Sequence, residues 1–359
     1  MPRPLLNARA RVNVTPSKPR IIATIPISGQ VGDIAVNPVT NRVYFALKER
    51  GLGILDGKTN KIVTTVPTGQ MPHSVAVNAR TNRIYVTNWL DGSLTVINGR
   101  TNRVVKTIPI GERCDVIAVN PATNLIYVAS ITLSSSMGRL TVINGKTNAI
   151  VKRLSIQGRF STLVVDEETN RIYFTNTSKD TVSVLDGRNQ KIIRTWKVGS
   201  NPVVTPVLNK QTKQLYIPNN LSRYCSILDT RTGSMRKLQL GRLQSEIALN
   251  PVTNRIYLTT AQEADTGRLY VINGATDRIV RRKTIPTYTR MFLHSRTNHL
   301  YLNGDVDFEA DPLTVYNGSS LKRLAALEPR DWLGGTAVNA RTNRIYKGGE
   351  KSLIVIQDN

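Results

Sequence analysis

The feature that most constrains this chain is that it repeats itself. A Thr, a mostly polar pair, an apolar residue and a Tyr recur as "TNRVY" ending at Tyr44, "TNRIY" at Tyr85, "TNLIY" at Tyr127 and "TNRIY" at Tyr173. The series continues as "TKQLY" at Tyr216, "TNRIY" at Tyr257, "TNHLY" at Tyr301 and "TNRIY" at Tyr346. Successive tyrosines of these eight copies stand 41, 42, 46, 43, 41, 44 and 45 residues apart. A period of about 40–45 residues with several short strands per unit is the signature of a β-propeller.

Each unit divides into four strands. In the second, "SVAV" (Ser74–Val77) is strand A, "RIYVTN" (Arg83–Asn88) strand B, "SLTVI" (Ser93–Ile97) strand C and "RVVKTIPI" (Arg103–Ile110) strand D. Val, Ile, Thr and Tyr dominate, the residues that suit a pleated surface. The links "NART" and "NGRTN" are turn chemistry, and no window of comparable length has helical periodicity. Strands A, B and C occur eight times, but nothing follows the last C strand, "LIVI" (Leu353–Ile356). The missing D strand is supplied by "RIIATIPI" (Arg20–Ile27), which aligns without a gap with "KIVTTVPT" and "RVVKTIPI". The expected fold is therefore all-β, an eight-bladed propeller of four-stranded blades, its ring closed by an N-terminal outer strand. Residues 1–19 form a basic tail and residues 20–359 a single domain.

The segments "VNPVTNRVYF", "VNARTNRIYVTN", "TVINGRTNRVVKTIPIG" and "VDEETNRIYFTN" resemble the YVTN-type β-propellers of prokaryotes, over nearly the whole chain from Arg20 to Ile356. The resemblance implies a propeller and leaves several functions open, because such repeats resemble surface-layer and scaffold proteins as well as lactonase-like and lyase enzymes. Members commonly have seven blades, so a seven-fold active-site map does not transfer to eight. Units five and seven, with "TKQLY" and "TNHLY", depart most and are either where a specialised site is placed or where drift was tolerated.

Lys and Arg outnumber Asp and Glu by 49 to 24, a formal charge of +25. That charge predicts attraction to an anionic partner, whether acidic protein, nucleic acid or anionic surface, and implies nothing about fold. In a propeller the A–B and C–D turns emerge on one face and the B–C and D–A loops on the other. The first set carries Arg42, Arg83, Arg171, Arg255 and Arg344 as a ring, an expected anion-binding face, since guanidinium groups pair bidentately with phosphate oxygens. The competing reading makes these arginines a structural habit of the turn. The loop face collects Glu49, Asp91, Asp180, Glu263 and Asp265, and the loop "GDVDFEADP" adds more acids. Aromatic residues make up only 6 %, too few for a base-stacking platform. Two cysteines make no disulfide framework. No 18-residue apolar run and no apolar stretch of a secretory signal occur, so a cytoplasmic location is favoured, a mature exported form being the alternative.

Residues just before and at the start of strand A converge on the central channel: Asp33, His73, Asp115, Arg159 with Phe160, Asn201, Gln244 with Glu246, Arg290, and Asp331 with Trp332. They differ from blade to blade while the strands repeat, as a ligand site requires. Asp33, His73, Asp115, Arg159, Glu246, Arg290 and Trp332 are thus the candidate ligand-binding set, with carboxylates and His73 able to move protons or hold a divalent cation. The alternative is that they solvate the pore or bridge neighbouring blades. The three histidines show no HxH or HExxH spacing, so no zinc site is expected; His294 and His299 read as drift on the turn face. No nucleophile elbow or P-loop is present. Cys114 follows Arg113, which would lower its thiol pKa, but a lone cysteine near a strand start is more often a packing residue. No cofactor is assigned. The expected function is a binding or scaffold propeller within a protein complex, presenting a polar channel mouth and a basic face. The alternative is a lyase-like or lactonase-like enzyme acting at the mouth.

Overall fold

The repeated tyrosines explain the ring. In a computed structural model, which describes residues 18–111, 113–131, 137–261, 266–287, 290–303, 312–328 and 334–359, all eight are almost fully buried. Alternate residues of strand B face opposite neighbours, because side chains alternate across a strand. Tyr44 and Ala46 pack with Val75, Ile84 and Val86 of the next blade. Val43, Phe45 and Leu47 pack with Tyr346, Leu353 and Val355 of the preceding one. The hydrophobic core is accordingly eight interfaces between blades rather than one centre, with a tyrosine in each.

Every blade is a four-stranded antiparallel sheet in chain order A-B-C-D, except the eighth. Its sheet joins Arg20–Pro26 to Ser352–Gln357, Arg344–Gly348 and Thr336–Asn339. The N-terminal strand runs antiparallel to the last strand, with Arg20 opposite Gln357 and Pro26 opposite Ser352. The described residues contain no helix, and none of them forms a helix long and apolar enough to cross a membrane.

The two asparagines of the repeat do separate jobs. The first ends strand A and turns the chain: Asn37 Oδ1 accepts the backbone N–H of Val39 at 3.0 Å and of Thr40 at 3.4 Å. The second sits in the left-handed region, with φ of 53° at Asn41 and 49° at Asn82, which Asn tolerates better than most residues. The first then donates to the second of the next blade, as from Asn37 Nδ2 to Asn82 Oδ1 at 2.8 Å. Equivalent bonds join Asn78 to Asn124, Asn120 to Asn170, Asn209 to Asn254, Asn250 to Asn298 and Asn339 to Asn41. Six junctions thus share one rung of a polar belt on the turn face. The glycine after strand C is imposed by the same neighbours, since a Cβ at Gly57 would stand 2.6 Å from the Asn41 carbonyl and 2.8 Å from the Tyr346 hydroxyl.

Two junctions lack the rung. Between blades four and five Asp166 and Lys213 occupy the two positions. Between blades seven and eight the first is His294, and Asp358 takes the place of the glycine, its N–H donating to Asn343 O as Gly57 N–H donates to Asn41 O. This changes the reading of the histidines. His294 and Asp358 are fully buried. Asp358 pairs with His299 Nδ1 at 2.6 Å and accepts Thr297 Oγ1–H at 2.7 Å. His294 Nδ1 accepts the Thr297 N–H at 3.3 Å. Burial lowers the His294 pKa, against the raising effect of Asp358. Three coordinated replacements, not drift, build a substitute seam.

Candidate functional site

The D–A and B–C loops lie together on one face, as Asp91 shows by accepting the Gln70 N–H at 2.6 Å. The A strands start there and run inward, so their first residues surround the channel mouth. Asp33 is the third residue of its strand (Val31–Asn37). Its carboxylate accepts the N–H of Ile34 at 2.8 Å and of Val75, on the next blade, at 2.9 Å. Burial raises its pKa; the two N–H groups and His73 oppose the rise. His73 is more exposed. Its Nδ1 stands 3.2 Å from the Asp115 carbonyl and 3.6 Å from Asp115 Oδ1, while Ser74 Oγ donates to the same carbonyl at 2.8 Å. Asp33, His73 and Asp115 therefore form one side of the mouth, each bonded to a neighbouring blade.

Glu246, Arg290 and Lys347 form the other side. Glu246 is the third residue of Gln244–Asn250, Arg290 the first of Arg290–His294, and Lys347 lies near the end of Arg344–Gly348. Together with Met291, Phe292, Asn303, Thr336 and the Gly334–Gly335 backbone they line a cavity of about 260 Å³. Burial pushes the Glu246 carboxyl up to about 7, against the pull of Arg290 and then Lys347. Lys347 is only 4 % exposed, and its Nζ donates to the Gly334 carbonyl. Phe292 stacks on Tyr301, ring centroids 4.8 Å apart.

Lys347 was missed by sequence reasoning, although its signal is plain. The residue after the repeat tyrosine is Phe45, Val86, Val128, Phe174, Ile217, Leu258 and Leu302 in the other seven blades, all buried. Only blade eight places an amine there. Gly335 N–H donates to Gly32 O at 2.8 Å, so blade eight adjoins Asp33 and the two sides meet. Blades six, seven, eight, one, two and three thus contribute Glu246, Arg290, Lys347, Asp33, His73 and Asp115 in ring order.

The remaining expected mouth residues do something else or lie elsewhere. Arg159 is exposed, its backbone bonded to Ser178 and Thr177. Phe160 is buried against Phe174. Gln244 is fully buried and braces a loop, taking the Asn219 N–H and donating to Ser222 O and Gly241 O. Asp331 and Trp332 lie outside the described residues, as do Glu263, Asp265 and residues 304–311. Among the described residues, no three His, Cys, Asp or Glu side chains converge as a metal set. Cys114 is a packing residue of a blade interface, as expected of a lone cysteine near a strand start: burial, then Asp115, pushes its thiol up to about 12, and Arg113, which could have lowered it, covers Trp89 at 4.0 Å.

On the opposite face the five repeat arginines are half-buried. Arg42 pairs with Asp56 at 3.0 Å. Arg171 donates to Thr230 O at 3.1 Å, and Arg344 to Gly57 O and to Asn60 Oδ1, in each case on the next blade. The structure gives Arg83 and Arg255 the same half-buried setting. Between blades four and five, where the asparagine rung is absent, Arg171, Arg188, Lys213 and Arg231 line a cavity of about 440 Å³ with Glu168 and Asp186.

No family model matches the chain, and no curated protein matches it. Among solved structures, the one titled dihydro-heme d1 dehydrogenase NirN in complex with DHE is similar, with a TM-score of 0.71 over 84% of this chain and 67% of that one, at 17% sequence identity. A likeness at that identity is one of fold, and the fold it supports is the propeller.

Proposed function

We propose that the protein is a YVTN-type binding propeller whose channel mouth is its recognition surface. What carries this reading is the arc of six ionisable side chains, one from each of six consecutive blades, set into strands that otherwise repeat. The blade-to-blade bonds of Asp33, His73 and Asp115 hold these side chains in place, and the variation around the ring gives the mouth the asymmetry that recognition of one ligand needs. The basic turn face is a second, sequence-independent surface for an anionic partner, and its binding weakens steeply with salt.

A second reading, an enzyme of the lyase or lactonase type, is favoured by Glu246. A carboxyl raised to about 7 exchanges protons near neutral pH, as a general acid or base must.

The deciding experiment is capture from an extract of the source organism at low and moderate salt, with bound protein, nucleic acid and small molecules identified. Three forms are compared: wild type, an isosteric mouth variant (Asp33→Asn with His73→Gln and Asp115→Asn) and a turn-face variant (Arg83→Gln with Arg255→Gln). The mouth variant is expected to lose a salt-tolerant ligand that the turn-face variant keeps. A ligand held equally by all three would overturn the reading. Because the similar structure holds DHE, haemin titration followed by its Soret band tests the tetrapyrrole class in the same variants.

A further inference from the structure

A second cavity, of about 850 Å³, opens on the loop face at the junction of blades five and six. Its volume falls within the roughly 300–1,000 Å³ of small-molecule sites. Leu221 and Arg223 reach it from the B–C loop of blade five, Leu240 and Arg242 with Leu243 from the D–A loop, and Ala261 from the end of strand B in blade six. The protein holds these walls together through its own hydrogen bonds. The buried Gln244 side chain takes the Asn219 N–H and donates to Ser222 O and Gly241 O, tying the two loops to each other. Leu243 N–H donates to Asn220 O at 2.7 Å, and Ala261 N–H donates to Leu243 O at 3.0 Å, tying them to blade six.

The equivalent hollow between blades one and two makes a useful contrast. It is only about 240 Å³ and is lined by both signs of charge, with Lys48 and Arg50 beside Glu49 and Asp91. At blades five and six the described lining has no acid, and four of its side chains are apolar. Leu243 also has φ of 52°, while its counterpart between blades four and five is Asn201 at 56°. Asn adopts that backbone at little cost and leucine does not, so an apolar side chain lines the wall where the loop alone favours Asn. The two arginines are exposed at the rim, and neither guanidinium makes a hydrogen bond or ion pair among the described residues.

We propose that this cavity binds an amphipathic acid, an aliphatic body of medium chain length carrying one carboxylate. The carbon chain lies on Leu221, Leu240, Leu243 and Ala261, where removal of apolar surface from water supplies most of the affinity. The carboxylate stays at the rim, where Arg223 and Arg242 can pair with it in the bidentate geometry of guanidinium groups. The site shares no residue with the arc at the channel mouth and does not rest on it.

Displacement of anilinonaphthalene sulfonate from the full chain, followed by its fluorescence at moderate salt, tests this. Decanoate should displace the dye from one site per chain, roughly tenfold more tightly than octanoate, because two more methylenes are buried. Octanol should compete more weakly than octanoate, and inorganic phosphate should not compete. Leu243→Asn should weaken decanoate about tenfold without lowering the melting temperature, since Asn suits the backbone. Arg223→Gln with Arg242→Gln should weaken octanoate about tenfold and leave octanol unchanged. Failure of decanoate to displace the dye overturns the proposal, and so does displacement by phosphate as effective as that by decanoate. Unchanged decanoate affinity in Leu243→Asn, or equal loss of octanoate and octanol in the double arginine variant, overturns it equally. The mouth variant of the capture experiment should bind decanoate as wild type does; loss of decanoate there would assign the ligand to the mouth and overturn this site alone.

Discussion

At the scale of the residue, the repeat asparagines show how one side chain satisfies two demands. Asn82 must hold φ at 49° and present an oxygen to Asn37. Asn82→Gly relieves the backbone but leaves the buried Asn37 amide without its acceptor, about 1–2 kcal/mol. Asn82→Ala adds the left-handed strain of a Cβ, for a total of about 2–4 kcal/mol. Chemical denaturation of the two variants should rank them in that order; equal losses would mean that the interblade bond alone matters. The turn role of these asparagines was legible from "TNR" and "VNP", because turn chemistry is local. The interblade bond was not, because it joins residues 45 apart in sequence. Lys347 is legible by simple alignment of "RIYKGG" on "RIYVTN", yet it sits inside a segment that elsewhere only repeats, away from the variable loops.

At the scale of the element, the seam between blades seven and eight is a rewritten version of the other joints. His294, His299 and Asp358 replace Asn, Arg and Gly of the repeat, and each replacement makes sense only with the others present. Asp358→Asn leaves the buried network around His299 and Thr297 with an acceptor replaced by an amide, a loss of about 1–3 kcal/mol. Reverting all three together (His294→Asn with His299→Arg and Asp358→Gly) should recover most of that stability, because residues in one network are strongly non-additive. If the triple variant is as unstable as the sum of the single ones, the seam is not a unit. The sequence shows each substitution plainly, but their cooperation depends on the last strand lying beside blade seven. The strands themselves, by contrast, were readable almost to the residue, since alternation and Asn-Gly turns carry their own boundaries.

At the scale of the whole molecule, the ring exists because Arg20–Pro26 supplies the outer strand of the last blade. Deleting residues 1–27 exposes the edge of Ser352–Gln357 and removes Ile27 from the interface it shares with Leu353 and Val355. An unpaired edge of that length invites association. The truncated chain should aggregate or melt well below the full chain, as read by calorimetry and size-exclusion chromatography; an unchanged melting temperature would show that the strand is dispensable. Blade number and closure were readable because they are counting arguments. The site was only half readable, since its members come from six units whose convergence is a property of the ring. The clasp in blade eight has a topological corollary. Arg20 and Gln357 are partners in one sheet, so a short linker joining the ends would leave the backbone a closed loop in which no blade is privileged. New ends cut in the exposed turns of any other blade would then give a family of rotated genes encoding one shape. Their differing melting temperatures would measure how much covalent continuity each blade needs.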